Sequence, residues 1–177
     1  MSFRPCLSLA ALLVICLAGN ANADARIEDF FGSYTGSGST TDDNGPFINT
    51  PREFELAIGP LEGGGFEIVW ATLKRKGSDP NSLESEVSKH RAFFRPSDKP
   101  GVFLGVDNGT LFDAGPVTWA RLQGNTLIVY RMEVDENGVV ELHVYQRRLT
   151  AKGLELFFTA TRDNKPIRSV RGRYRKR

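Results

Sequence analysis

Histidine is the side chain best suited to acid–base, metal or haem chemistry near neutral pH, and the chain contains two, His90 and His143. His90 lies between Lys89 and Arg91, and no second ligand stands at a spacing typical of a metal site. The sequence therefore predicts no metal site and no other cofactor.

The nucleophiles and carboxylates of the chain also lack a catalytic arrangement. The pattern Gly-x-Ser-x-Gly is absent, and Ser37, which lies between two glycines, has no base at a predictable position. The paired carboxylates Asp42-Asp43 and Asp135-Glu136 fall in predicted turns, where hydration explains them. The glycines at 63–65 lack the lysine and the following helix of a phosphate-binding loop. We therefore predict that the protein is not an enzyme.

Aromatic side chains are the residues that could bind a ligand without chemistry. Placed on strands that surround a lumen, they would line an apolar pocket for one small lipophilic molecule. The competing interpretation is that they form an ordinary packed core. The candidate ligand-binding residues are Phe66, Trp70, Trp119, Tyr130 and Phe158.

The positive charge of the chain is concentrated at its C-terminal end. Residues 168–177 hold six basic and no acidic side chains, whereas residues 24–167 hold 16 basic and 21 acidic ones. We expect Arg175, Lys176 and Arg177 to contact an anionic envelope surface, because each clustered basic residue contributes about 1 kcal/mol near an acidic membrane. The alternative is a hydrated end of the chain that only aids solubility.

The N-terminal residues are typical of an export signal that is later removed. Arg4 supplies a positive charge, and the apolar run that follows is too short to span a membrane. Cleavage after Ala23 is preferred to cleavage after Ala25, which gives a signal at 1–23 and one mature domain at 24–177. Both cysteines precede these sites, and a mature chain without cysteine is typical of a bacterial periplasm. We therefore expect a periplasmic or secreted protein that does not bind nucleic acid.

Alternation of apolar and polar residues at a period of two predicts strands through most of the chain. Phe54, Leu56 and Ile58 show it clearly, and Asn137-Gly138 suits a hairpin turn that needs a positive φ. A short helical turn is expected within 26–31 and a second helix from 79 to 87. The expected strands span residues 31–40, 53–58, 66–76, 90–95, 102–107, 117–122, 126–134, 139–149, 154–161 and 167–174.

About ten short strands, joined mostly by hairpins, predict an all-β fold with antiparallel pairing, because no segment is suited to be a crossover helix. Closing the sheet removes its exposed edges, so we expect an up-and-down barrel rather than a sandwich. The chain is not expected to span a membrane, because Arg, Lys and Glu recur on the less apolar strand faces, where an outer-membrane barrel would face lipid. A ten-stranded lumen is hard to fill with side chains, so a residual cavity is expected.

The same alternation predicts which side chains face the lumen. In residues 139–149 the valines and leucine at even positions form the apolar set, which predicts that His143 faces solvent. The face of Trp119 stays open, because Ala120 and Leu122 on the opposite face compete with it for the interior.

The segment Gly32-Ser33-Tyr34-Thr35-Gly36-Ser37-Gly38 resembles the first strand of calycin-like barrels such as the lipocalins and the nitrobindins. The lipocalin signature is Gly-x-Trp, and the nitrobindin pattern extends it to Gly-x-Trp-x-Gly-x-Gly. In this chain Tyr34 replaces the tryptophan. The resemblance implies a lipocalin-like barrel whose end is closed by an arginine of the last strand, Arg171 or Arg173, packed on Tyr34 as a cation–π pair. The haem of the nitrobindins is not carried over, because its ligand would have to face the lumen and His143 is predicted to face solvent.

Two functions agree with these observations. The leading hypothesis is an exported, non-enzymatic barrel that binds a small apolar or amphipathic ligand. The alternative is an envelope interaction module, with a filled barrel that docks on anionic lipid or on a protein partner through its outer surface and basic end. An open cavity lined by Trp70 and Phe158 would favour the first, and a filled interior would favour the second.

Overall fold

A computed structural model describes residues 24–41, 50–75, 85–108 and 115–177 of the chain. Within these ranges the protein has ten strands and two short 3₁₀ turns, Ile27–Phe30 and Glu62–Gly64. None of the helical segments in these ranges is long and apolar enough to cross a bilayer. The strands are β1 (Gly32–Thr41), β2 (Thr50–Leu61), β3 (Gly65–Arg75), β4 (Ser85–Pro96), β5 (Val102–Gly105), β6 (Val117–Gln123), β7 (Thr126–Val134), β8 (Val140–Thr150), β9 (Gly153–Arg162) and β10 (Lys165–Lys176).

The strands form one closed barrel, in which each strand pairs antiparallel with the next and β10 pairs with β1. The prediction of an all-β, up-and-down barrel of ten strands is confirmed. Gly138 has the positive φ of 77° predicted for its turn. The helix predicted up to residue 87 is wrong at its end, because β4 already begins at Ser85. The rest of that helix, the predicted signal at 1–23 and the turn at Asp42-Asp43 lie outside the described residues.

The seam between β1 and β10 requires glycine, because the two backbones come very close. Gly36 lies opposite Tyr174, and Gly38 lies opposite Gly172. A Cβ atom at Gly36 would lie 2.2 Å from the carbonyl oxygen of Arg173, a distance at which no side chain fits. The glycines therefore let the sheet coil sharply enough to close.

The end of the barrel at which β1 begins, here called the closed end, is filled by an apolar plug. Ile27 and Phe30 of the first 3₁₀ turn are buried, and the hydroxyl of Tyr34 donates a hydrogen bond of 2.8 Å to the carbonyl oxygen of Phe30. Burial raises the pKa of Tyr34. The plug is continuous with the hydrophobic core of the barrel, whose buried apolar side chains include Leu56, Ile58, Phe66, Ile68, Phe94, Phe103, Leu127 and Leu154.

Tyr34 packs at the barrel end, but its cationic partner differs from the expected one. The Nζ atom of Lys176 lies 5.9 Å from the centre of the Tyr34 ring. Arg171 lies instead over the ring of Phe157 on the outer face, and the side chain of Arg173 is 84% exposed. The prediction that Arg171 or Arg173 closes the barrel is therefore wrong, because the even-numbered residues of β10 face the lumen and the odd-numbered ones face outwards.

The basic C-terminal end belongs to β10 and is not a free tail. The strand continues to Lys176, two residues past its predicted end, and the backbone N–H of Arg177 donates a hydrogen bond of 2.9 Å to the carbonyl oxygen of Ser33. The side chain of Arg177 also forms an ion pair of 2.9 Å with Glu55. The predicted end of the last strand at residue 174 is therefore wrong, because the chain stays paired with β1 beyond it. Arg175, Lys176 and Arg177 are nevertheless exposed, and their contact with an anionic surface stays a prediction.

Candidate functional site

The opposite end of the lumen, where β1 ends and β2 begins, is lined by charged and aromatic side chains and is here called the polar end. Strand β8 begins at this end and contributes Glu141, His143, Tyr145 and Arg147, in order of increasing depth. Tyr145 lies opposite buried apolar residues of both β7 and β9, which places this set of side chains on the inner face. The polar end therefore holds groups that could bind a ligand.

The prediction that His143 faces solvent is wrong. Its side chain is only 13% exposed and borders an internal cavity. The apolar residues Val140, Leu142 and Val144 lie on the outer face of β8, where Val140 is 37% exposed. The usual inward orientation of apolar side chains fails here because the lumen at the polar end is occupied by paired charges and aromatic rings.

Three of the five predicted ligand-binding aromatics lie inside the barrel. Trp70 and Phe158 border the cavity, which has a volume of about 120 Å³. The ring of Tyr145 contacts both of them, with centroid distances of 5.2 and 4.7 Å. Phe66 lies deeper, in the closed end, and stacks on Phe94 with 4.7 Å between ring centres. The lumen thus contains an open space with an aromatic wall.

Trp119 and Tyr130 lie on the outer face of the barrel, so their prediction as lumen residues is wrong. They stack on each other with 4.8 Å between ring centres and 6° between ring planes. Ala120 and Val129, their neighbours in β6 and β7, are fully buried, and alternation turns the two aromatic rings outwards. The sequence leaves open which face of β6 points inwards. Ala120 and Leu122 face the interior, so Trp119 faces outwards.

Arg147 is the central residue of the site, and the sequence did not indicate it. The residue is fully buried, yet none of its three guanidinium nitrogens has a hydrogen-bond partner among the described residues. Its Cζ atom lies over the rings of Tyr145 and Trp70, 5.2 and 5.7 Å from their centres. Burial lowers the pKa of Arg147, and the nearby hydroxyl groups of Tyr174 and Tyr145 oppose this shift. Such a buried charge is costly unless a partner neutralises it.

Other cations surround the same cavity. Arg168 borders it, its Cζ atom lies 5.4 Å from the centre of the Phe158 ring, and its buried Nε atom has no hydrogen-bond partner in the described part of the chain. The Nε atom of Arg52 donates a hydrogen bond of 2.8 Å to the hydroxyl of Thr40. Positive charge therefore predominates among the described lumen groups of the polar end. These are Arg52, Lys74, Arg131, Arg147, Arg162 and Arg168 against Glu133 and Glu141.

His143 is held in place by Glu141 near the rim. The Nε2 atom of His143 lies 2.6 Å from one carboxylate oxygen of Glu141, and Arg162 donates to the other at 2.9 Å. Burial alone would raise the pKa of Glu141, but the hydrogen bonds from Arg162 and His143 outweigh it and lower the pKa. The carboxylate is therefore ionised near neutral pH and fixes the imidazole.

His90 forms part of the opposite wall of the cavity. Its ring stacks on Trp70 with 5.2 Å between centres, and its Nε2 atom lies 3.4 Å from the hydroxyl of Ser88. Burial lowers the pKa of His90, and the nearby positive charge of Arg131 and the ring of His143 lower it further. The imidazole is therefore neutral at pH 7. In the four described ranges no three His, Cys, Asp or Glu side chains are grouped to hold a metal ion.

A broad, open depression lies on the outer face over β10, β1 and β2. Arg171, Arg173 and Arg175 form an exposed row along it. Glu155 lies beside this row, pairs with Arg148 and stands 3.8 Å from Arg173. The hydrogen bond from Arg148 lowers the pKa of Glu155. This surface therefore carries mixed charge, in contrast to the cationic lumen.

Comparison with known proteins does not assign the chain to a family. No protein-family model matches the chain, and no curated protein matches it closely enough to count as a relative. A function for the barrel therefore has to be argued from its own residues.

Proposed function

We propose that the protein is a non-catalytic barrel, exported to the periplasm or secreted, that binds one small amphipathic molecule in its lumen. The observation that carries this proposal is the cavity of about 120 Å³, which is bordered both by the rings of Trp70 and Phe158 and by Arg147, His143 and His90. The apolar surface of a ligand would pack on the rings, and its polar group would meet donors that the protein leaves unpaired.

The size of the cavity limits the ligand to a molecule with about one aromatic ring. A cavity of about 150 Å³ in an engineered protein accepts benzene. The cavity of about 120 Å³ therefore suits a ligand whose buried part is about as large as a benzene ring. A porphyrin is far larger, so haem does not fit although His143 faces the lumen. Because the apolar plug fills the closed end, the ligand enters from the polar end.

The two tryptophans of the chain provide a direct test, because they lie on opposite sides of the barrel wall. The variant Trp119→Phe leaves Trp70 as the single tryptophan beside the cavity, and Trp70→Phe leaves Trp119 on the outside. Benzyl alcohol or benzoate should change the emission of Trp70 with saturation and leave that of Trp119 unchanged. Equal responses in the two variants, or no response in either, would contradict binding in the lumen.

Docking on an anionic envelope surface is the second candidate, because Arg171, Arg173 and Arg175 are exposed at alternate positions of β10. An acidic membrane would attract such a row, and salt would weaken the attraction. Replacing the three arginines with serine should abolish salt-sensitive binding to phosphatidylglycerol vesicles, with phosphatidylcholine vesicles as the control. This candidate fails if the unaltered protein binds both vesicles equally or neither.

A further inference from the structure

We propose further that the lumen recognises a carboxylate, and that its ligand is a small aromatic carboxylate of about the size of benzoate. This inference rests on the proposed function, because it names the chemistry of the same lumen ligand. It starts from Arg147, whose guanidinium is fully buried and has no hydrogen-bond partner among the described residues.

The contacts of Arg147 explain why an anion is the missing partner. The Cζ atom of Arg147 lies over the rings of Tyr145 and Trp70, so aromatic faces rather than oxygen acceptors border the guanidinium on that side. Contact with ring faces leaves the N–H donors without an oxygen acceptor, and none of the three nitrogens has a hydrogen-bond partner among the described residues. Two of these donors match the two oxygens of a carboxylate, which would also neutralise the buried charge.

The other groups of the lumen also favour a negative ligand. Arg168 borders the same cavity, and its buried Nε atom likewise has no partner in the described part of the chain. The described lumen carboxylates, Glu133 and Glu141, are already paired with other cations. Neither is therefore available to Arg147, and the site keeps its positive charge for a ligand.

The apolar wall of the cavity decides which class of anion fits. Phe54, Leu156, Phe158 and Val170 border the cavity together with Trp70. The phosphate oxygens that face this wall would lose their hydration, because the apolar side chains offer no donor in place of water. An aromatic ring with one carboxylate places apolar surface on the wall and charge at the arginine, within a volume suited to a benzene-sized molecule.

Benzoate, benzyl alcohol and inorganic phosphate, each titrated into the Trp119→Phe protein, test the carboxylate and the aromatic ring separately. We expect benzoate to bind at least about 10-fold more tightly than benzyl alcohol, because hydrogen bonds between charged groups contribute that much. Equal affinities for benzoate and benzyl alcohol would overturn the carboxylate inference and leave the proposed function intact. Inorganic phosphate that displaces benzoate at equal concentration would overturn the aromatic class. No response to any probe would overturn the proposed function and this inference together.

Two arginines that are adjacent in sequence form a matched pair of variants. Arg147→Met removes the fully buried lumen cation, whereas Arg148→Met removes an outer cation that pairs with Glu155. Benzoate affinity should fall about 10- to 100-fold in Arg147→Met and stay unchanged in Arg148→Met. Arg147→Lys keeps the charge without the planar fork and should bind with intermediate affinity. Unchanged affinity in Arg147→Met, or an equal loss in Arg148→Met, would overturn the inference.

Discussion

Arg147 combines two properties that seldom occur together in one residue: complete burial and a guanidinium without a hydrogen-bond partner among the described residues. A buried charge of this kind destabilises the folded state, because the protein does not replace the water that the guanidinium loses. Proteins tolerate such groups where function requires them. Stability and ligand binding should therefore respond to Arg147 in opposite directions.

Arg147→Met should raise the free energy of unfolding of the ligand-free protein by about 1 to 4 kcal/mol, because methionine fills the space without a desolvated charge. Arg148→Met serves as the control and should change it by less than about 1 kcal/mol, since its ion pair is exposed. Urea titration followed by tryptophan fluorescence measures both. A loss of stability in Arg147→Met would show that the contacts with Tyr145 and Trp70 outweigh the burial of charge.

His90 should make the stability of the barrel depend on pH. Its pKa is lowered by burial in the folded protein, whereas the unfolded chain has the ordinary value of 6.5. As pH falls below 6.5 the unfolded state binds more protons than the folded state, so this residue reduces stability between about pH 7.5 and 5.5. His90→Gln should flatten that dependence in denaturant titrations at the two pH values. Identical pH dependence in the variant and the unaltered protein would show that His90 is not responsible.

At the scale of strands, local alternation predicted the elements well and their inner faces less well. Phe54, Leu56 and Ile58 alternate with polar residues and are buried as expected. In β8 both faces are mixed, and the more apolar face lies outside because pairing with β7 and β9 turns Tyr145 inwards. The partners of Tyr145 in these two hairpins are Val129 and Phe158, which lie outside β8, so the alternation within β8 alone cannot show the pairing. The signal that was available is Tyr145, an aromatic residue on the same face as Arg147.

The end of β10 should contribute to stability, since it pairs with β1. Lys176 lies opposite Tyr34, and the backbone of Arg177 donates to Ser33. Deleting residues 175–177 should lower the free energy of unfolding by about 1 to 3 kcal/mol, because hydrogen bonds and the Tyr34 contact are lost. The side-chain control Arg175→Ser should change it by less than about 0.5 kcal/mol. Chemical denaturation measures both, and equal stability of the truncated and full chains would contradict the observed pairing.

At the scale of the whole molecule, closure depends on how closely β1 approaches β10. Gly36→Ala should destabilise the barrel by about 2 kcal/mol or more, because its Cβ would overlap the backbone oxygen of Arg173. Gly59→Ala is the matched control, since a Cβ there meets no atom within 4 Å. Thermal unfolding should separate the two variants clearly. Similar melting temperatures would mean that the seam relaxes without strain.

The seam also determines when the barrel can close during synthesis of the chain, because β1 must wait for β10. Ribosomes add about 5 to 20 residues per second, so β1 exists for several seconds before β10 is made. Throughout that interval the growing sheet has two unpaired edges, which are templates for self-association. The wall that carries Arg147 and Arg168 is contributed by β8 and β10, which are made later than seven of the other strands. A chain that stops before β10 therefore leaves the edges of β1 and β9 unpaired, and it is an aggregation hazard rather than a weaker binder.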